Sequence, residues 1–460
     1  MASKRSKTKR SKTSSTTDRI SDLPDLLLLT ILSFLPFHSA VSTSLLSKRW
    51  RPLCMSLSNL HFDDSDGEKS GPPFISRVDK FLMNRENELV IEEFGLKCNG
   101  DYDRTLVNTW IHKALELQVK NVSLELCIRG GLYQLLPDMY TYGRFEVLRL
   151  KWRILVDIPS NFYFSRLKVL EFYYVQFSSY ESVTELLLNC PVLESLVIQR
   201  CKYQSGCCLT VCGSALKNLT LKTAEGNDQE SKLKIVIDTP ALETLKVGDS
   251  AFADIFVKDT LLSLRTAHFS VGIDRDVLRE SLFRLLDNSF HVESLTLTDK
   301  AVGALDGDTR YGLSIYHNVN CGSDYEFPIF HNLIKLELRV DNWTCWKLLP
   351  KILASSPNLQ TLLLPWGVDL GHTSQRHDYC LWSWPRPVPE CLLSNLKTIE
   401  YGAFHGTNDE LSLFEFLILH GRALQKISID CSDLKRKSKI RKELLTYGRG
   451  SQSCKIEFIN

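Results

Sequence analysis

Cys201, Cys207, Cys208 and Cys212 fall within twelve residues and raise the question of a metal site. Zinc usually takes two ligands two to four residues apart and a second such pair elsewhere. Here the spacing is irregular, and Cys201 occupies the ninth position of an apolar pattern that recurs through the chain, where a buried turn residue is expected. His372, His377 and Cys380 sit in a stretch rich in Trp and Pro and form no better ligand set. Buried thiols are the reading of the cysteines, and no metal or other cofactor is expected. Nucleophilic and phosphate chemistry find no support either. The chain has no GxSxG elbow, no HExxH, no Walker loop and no GxGxxG after a strand. Scattered Ser, His and Asp residues do not assemble a site without a motif. No enzymatic activity is expected from this chain.

Charge narrows the choice further. Lys+Arg 56 against Asp+Glu 54 leaves +2 over 460 residues, too little to make the whole chain a polyanion binder. Lys4, Arg5, Lys7, Lys9, Arg10 and Lys12 lie in residues 1–17, which hold no acidic residue, so the tail is basic and the body mildly acidic. That tail contains nothing to build a core from and is expected to be disordered. It resembles a nuclear-import signal, with a solubilising tail as the alternative. The most apolar stretch, Leu23 to Phe37, is broken by two prolines and is shorter than a bilayer requires, so no membrane association is expected. Fourteen cysteines without a framework spacing, and no apolar run behind the N-terminal charges, fit a reduced protein of the nucleus, the cytoplasm or both.

Two kinds of element would have to position any binding surface. Residues 18–60 read as three short helices. Asp22 is a candidate cap for the first, from about Leu23 to Leu35, which Pro36 stops; Ser39 to Leu46 offers a second. Ser47 would cap a third carrying Lys48, Arg49 and Trp50, with Pro52 expected to kink or end it. The first helix, LLLLTILSFL, is apolar on nearly every side and must be buried on every side. Two more short helices cannot cover it. The surplus face needs a partner, from this chain or from another protein.

The longer element is repetitive. The pattern apolar-x-x-apolar-x-apolar recurs twelve times, from VKNVSL at Val119 to LQKISI at Leu424. Its fourth positions are Val122, Leu148, Leu170, Leu196, Leu219, Leu245, Ala267, Leu295, Leu336, Leu362, Ile399 and Ile427. Most steps span 22 to 28 residues, the period and pattern of leucine-rich repeats. Alternation in a short strand turns the fourth and sixth residues inward and the fifth outward, so stacked units build a parallel sheet. Helical returns are expected, as at Ser182 and Asp276. The outward fifth positions, Ser123, Arg149, Glu171, Val197, Thr220, Lys246, His268, Thr296, Glu337, Leu363, Glu400 and Ser428, mix charges. That mixture does not make the basic stripe a nucleic acid needs, and suits a protein or small ligand.

Residues 18–60 also carry the opening DRISDLPD, the ILSFLP run and the closing TSLLSKRW, and strongly resemble an F-box of the plant F-box/leucine-rich-repeat type. The stretch from Val388 resembles an FBD domain. The resemblance implies an α/β architecture. A three-helix F-box (18–60) would lead through a connector and the first part of the solenoid (61–118) into leucine-rich repeats (119–384) and an FBD domain (385–460). It further implies the non-catalytic substrate-recognition subunit of a Skp-cullin-F-box ubiquitin ligase. The F-box would bind a Skp-type adaptor, and through it a cullin, while the repeats bind an unknown protein substrate. The motif positions Leu23, Pro24, Leu28, Ile31, Leu32, Leu35, Pro36, Leu45, Leu46 and Trp50 are then candidates for the adaptor interface or its supporting core. Leu26 in place of a common glutamate, and Cys54 in place of a frequent aromatic, depart from the pattern. The alternative is a repeat scaffold whose divergent F-box does not engage a ligase.

Two repeat steps are long, Leu295 to Leu336 and Leu362 to Ile399, and insertions in repeat proteins often line the binding face. The excess residues include Tyr311, Tyr316 and Tyr325 in the first, and Trp366, Trp382 and Trp384 in the second. With Glu337, Arg339 and Leu363 between them, these loops are the expected recognition surface. The alternative is that the tryptophans seal the junction with the FBD segment.

Overall fold

The computed structural model describes residues 20, 22–65, 73–83, 85, 90–128, 130–159, 162–205, 208–222, 233–249, 253–271, 276–306, 327–339, 348–366, 382, 384–432 and 437–459. The six tail cations, Tyr311, Tyr316, Tyr325, Cys207, His372, His377 and Cys380 lie outside the described residues. The chain divides into two compact units, Met1–Lys97 with Thr109–Val119, and Cys98–Asn108 with Lys120–Asn460. No helix among the described residues is long and apolar enough to cross a membrane.

The first unit opens with α1 (Asp25–Ser33), α2 (Phe37–Ser42) with a 3-10 turn at Thr43–Leu45, and α3 (Trp50–Met55). β1 (Asn59–Asp63), α4 (Phe74–Leu82), β2 (Glu93–Cys98) and α5 (Arg104–Glu116) follow. Pro24, not Asp22, is the residue before α1: its φ of −57° and ψ of 148° hold the chain extended, so the helix starts at Asp25 and Asp22 caps nothing. Nor does Pro52 kink α3. It is the third residue of that helix, where a backbone N–H has no intrahelical acceptor to lose. In α4 the buried residues Val78, Phe81 and Leu82 follow helical spacing. Phe81 packs beside Phe62, 6.3 Å between centroids, on the parallel pair β1 and β2, which is registered as Leu60 with Phe94 and Phe62 with Leu96. Phe37 lies edge-on to Phe62 and to Phe81, each at 5.2 Å between centroids. The Trp110 indole N–H donates to Asp79 Oδ1 at 2.8 Å.

The second unit is the repeat array. Its parallel sheet runs in chain order from Asn121–Leu126 to Lys455–Ile459. All twelve fourth positions are direct partners of their neighbours, from Val122 opposite Leu148 through Ala267 opposite Leu295 to Ile399 opposite Ile427. Each is at most 3% exposed, so even the atypical Ala267 is core. The two long steps leave the register intact, since Leu295 still faces Leu336 and Leu362 faces Ile399. One strand more than the motif predicts closes the array, with Ile456 opposite Ile427.

The return segments differ from expectation. Helices occur at Tyr180–Leu188 and Asp276–Asp287, but between Tyr133 and Val257 much of the return is extended. One small parallel sheet joins Tyr133–Gln134, Ile154–Val156, Gln176–Ser179 and Lys202–Ser205; another joins Cys208–Cys212, Leu233–Asp238 and Ala253–Val257. The reason is periodicity: Leu209 and Val211, and Ile235 and Ile237, are buried every second residue, as a strand requires. Cys208 and Cys212 are therefore strand residues on one face, while Cys201 is buried and its thiol lies 3.6 Å from the Phe172 carbonyl. Burial pushes that thiol up to about 12.

Near the C-terminus the Asn408–His420 helix is fixed by one carboxylate. Glu410 is fully buried and accepts from the Tyr401 hydroxyl at 2.8 Å, the His405 amide at 3.2 Å, and the Thr407 amide and hydroxyl at 2.8 and 3.1 Å. Thr407 returns the bond to the Glu410 amide, closing a capping box. Removing a group that satisfies several buried donors leaves each without a partner. Glu410→Ala is expected to destabilise the protein by about 3 kcal/mol and Glu410→Gln by less, measured by chemical denaturation. Equal, negligible losses would show that the network does not hold this helix.

Candidate functional site

The three-helix module shows how its surplus apolar surface is disposed. Leu28 and Leu32, one helical turn apart, face inward against Ala40, Trp50, Leu53 and Cys54, all buried. The Cys54 thiol donates to the Ala40 carbonyl at 3.2 Å, a small side chain suited to the close approach of α2 and α3. The two ends of the motif are tied together by one arginine. Arg49 donates to Asp25 Oδ1 through Nε at 2.9 Å and Nη2 at 2.6 Å, and through Nη2 to the Leu23 carbonyl at 2.5 Å. This pair is exposed and contributes under about 1 kcal/mol, but it sets where α3 begins relative to α1.

What remains faces solvent. Leu26 (78%), Phe34 (83%), Leu45 (86%) and Leu46 (70%) are exposed, as are Ile20, Leu27, Ile31 and Leu35. Leu27, Ile31 and Phe34 share a stripe of α1 about 100° from the buried pair. Of the motif positions expected here, Leu28, Leu32 and Trp50 are supporting core, and Leu23 is half-buried. Pro24, Ile31, Leu35, Pro36, Leu45 and Leu46 are exposed. Ile20, Leu26, Leu27 and Phe34 belong to the same surface and were missed by motif matching. The wheel itself identifies Leu27 and Phe34 once Leu28 and Leu32 are placed inside. Each such side chain would gain about 1.5–3 kcal/mol if a partner buried it fully.

The second surface is the open face of the repeat sheet. The fifth-position residues stand in one row, with Arg149 Nε 3.2 Å from Glu171 Oε2. Glu337, Arg339 and Leu363 are half-buried, and Arg339 Nε lies 2.6 Å from Glu337 Oε1. Trp366 is exposed just beyond its strand. Trp382 is a correction: it is 3% exposed, its ring edge-on to Phe416 at 5.8 Å and its backbone N–H donating to Asp409 Oδ1 at 3.1 Å. Trp384 packs beside Phe416 at 5.6 Å and donates to the Ser412 hydroxyl at 3.3 Å. These two tryptophans seat the Asn408–His420 helix, as the junction alternative requires, and Trp382 is not offered to a partner.

His268, midway along the row, is enclosed enough that burial lowers its pKa, and Arg339, Lys222 and Lys246 push the same way against Glu337. A depressed histidine stabilises the fold fully above the unfolded value of about 6.5, and that contribution is lost as pH falls through the folded value. His268→Gln is expected to flatten the dependence of melting temperature on pH between about 7 and 5. An unchanged slope would place the acid sensitivity elsewhere.

Among the described residues no group of three or more His, Cys, Asp or Glu side chains is placed to hold a metal. Three family models match separate stretches of the chain. The model described as "F-box domain" matches residues 20–62, "FBD-associated F-box protein At5g56370, LRR repeats" matches 107–261, and "FBD" matches 384–429. The chain is 30% identical to the probable FBD-associated F-box protein At1g32375 of Arabidopsis thaliana, over 91% of this chain and 94% of that one. It is 31% identical to the F-box/FBD/LRR-repeat protein At4g26340 of the same plant, over 92% and 96%. The three-helix module with its exposed apolar face, the first six in-register repeats and the Glu410-centred C-terminal helix thus lie in three matched segments, and the chain belongs to the F-box/FBD/LRR-repeat protein family.

Proposed function

We propose that this protein is the non-catalytic substrate-recognition subunit of a Skp-cullin-F-box ubiquitin ligase. The exposed face of α1 and the 43–46 turn binds a Skp-type adaptor, which links the chain to a cullin, and the repeats hold the protein to be modified. The observation that carries this reading is the cluster Leu27, Ile31, Phe34, Leu35, Leu45 and Leu46, large apolar side chains that the module leaves in solvent. A scaffold without ligase contact is the competing reading, and it leaves that cluster without a use.

Because Ile31 and Leu35 are exposed, charging them alters the surface without opening the core. Ile31→Asp with Leu35→Asp is expected to abolish co-purification of the adaptor and leave the melting temperature within a few degrees of the parent. Leu32→Ala, at a fully buried site, is expected to cost about 2–5 kcal/mol and to lower stability and co-purification together. Adaptor retained by the double variant would eliminate this face as the docking site.

The basic tail fits nuclear import as part of the same function. Changing Lys4, Arg5, Lys9 and Arg10 to Ala is expected to move a tagged protein toward the cytoplasm with no change in melting temperature. An unmoved distribution would leave the tail as a solubiliser.

A further inference from the structure

Among the described residues, the eighth position of the repeat, just past the strand, adopts left-handed backbone at Trp152 (φ 66°), Tyr174 (φ 57°), Arg200 (φ 53°) and Ala403 (φ 47°). The turn has a structural purpose. The Trp152 amide donates to the Tyr173 carbonyl at 2.7 Å, that of Tyr174 to Gln199 at 2.9 Å, and that of Arg200 to Lys222 at 2.6 Å, each reaching the end of the next strand. Yet Ala403 adopts the same left-handed backbone without a large side chain, and Gly or Asn would adopt it at least cost. The backbone therefore does not require Trp, Tyr and Arg at three adjacent repeats.

Those side chains form a column. Trp152 stacks on Tyr174 with centroids 4.4 Å apart and planes 6° from parallel. Arg200 lies 5.8 Å over the Tyr174 ring and donates from Nη1 to its hydroxyl at 2.8 Å. Both aromatic side chains are exposed, 41% for Trp152 and 36% for Tyr174, so the column stands in solvent already ordered. Tyr, Trp and Arg fixed in place before binding are the side chains that anchor protein interfaces.

The surroundings specify the partner. Fifth and seventh positions of these strands and of the next two add Arg149, Lys151, Lys222 and Lys246, four cations against Glu171, which Arg149 holds, and Glu125, which stands opposite Lys151. Lys151 and Lys222 stand three strand spacings apart in the sheet, about 14 Å or about four residues of extended chain. Nucleic acid fits less well. Successive bases need separated aromatic faces, whereas these two rings cover one another.

We infer that the Trp152–Tyr174–Arg200 column, flanked by Lys151 and Lys222, seats an extended acidic segment of the captured protein, with carboxylates about four residues apart and an apolar side chain against Trp152. This names the substrate chemistry within the function proposed above and rests on the repeats being the recognition element.

The test uses the full chain in plant cells under proteasome inhibition, with Gln199→p-benzoylphenylalanine as a photocrosslinker beside the column. Cross-linked segments are expected to be acidic. Arg200→Glu and Trp152→Ser should each lower the cross-linked yield at least tenfold, while Arg166→Glu, at an exposed site away from the column, leaves it unchanged. Melting temperatures of the variants separate loss of contact from loss of fold. Cross-links to basic or neutral segments, to nucleic acid, or to nothing while the adaptor still co-purifies would overturn the inference without touching the ligase reading. Loss of adaptor with acidic cross-links intact would overturn the ligase reading and keep the site.

Discussion

A single backbone hydrogen bond, repeated, organises the second unit. The amide at the second position of each repeat donates to the carbonyl at the second position of the one before, from Glu146 to Lys120 through to Gln425 to Lys397, always at 2.8–2.9 Å. That bond fixes the register, and the register places every fourth and sixth residue in the core and the fifth on the opposite face, where Thr296 and Ser428 are nonetheless buried. The side chains at the same positions alternate in sign, Lys120, Glu146, Lys168, Glu194, Lys217, Glu243, Arg265 and Glu293. Lys168 reaches Glu146 at 3.3 Å, and Lys217 reaches Glu194 at 3.2 Å. Each pair is exposed and worth little by itself. A skipped repeat, however, would set Glu146 against Glu194 and Lys168 against Lys217, so the alternation opposes misstacking.

The first unit obeys a different constraint. A nine-residue helix flanked by two shorter ones has too little neighbouring surface to cover an apolar circumference, and only Leu28 and Leu32 of α1 are buried. The rest of its apolar surface is useful only if another molecule covers it. The proposed recognition at the repeats follows the opposite logic: Trp152, Tyr174 and Arg200 are held in order by turns that the array needs anyway, and the specificity proposed for them rests on which residues those turns carry.

The repeat ladder was legible because its signal is redundant: twelve copies tolerate an Ala267 or a long insertion without losing the period. The ends of the ladder were not. Asn59–Asp63 and Glu93–Cys98 carry the same six-residue pattern, LSNLHF from Leu57 and IEEFGL from Ile91, but stand apart from the regular run that begins at Val119, and Lys455–Ile459 lacks the first apolar residue and alternates exposed with half-buried residues, as a final strand does. At the candidate sites, matching motif positions could not separate support from surface, so Leu28, Leu32 and Trp50 stood beside Ile31 and Leu46 until burial divided them. Trp382 counted as a surface anchor from its place in a long insertion, but packing on Phe416 decides otherwise. The left-handed turns at Trp152, Tyr174 and Arg200 carried no Gly or Asn to announce them.

The central claim, that the apolar face of the three-helix module is built to receive an adaptor, is tested most directly by amide hydrogen exchange on the full chain with and without a purified Skp-type adaptor. Increased protection confined to peptides within residues 20–46, with the repeat strands unchanged, is the expected result. Unchanged exchange across those residues at saturating adaptor, or protection appearing only on the repeats, would contradict it.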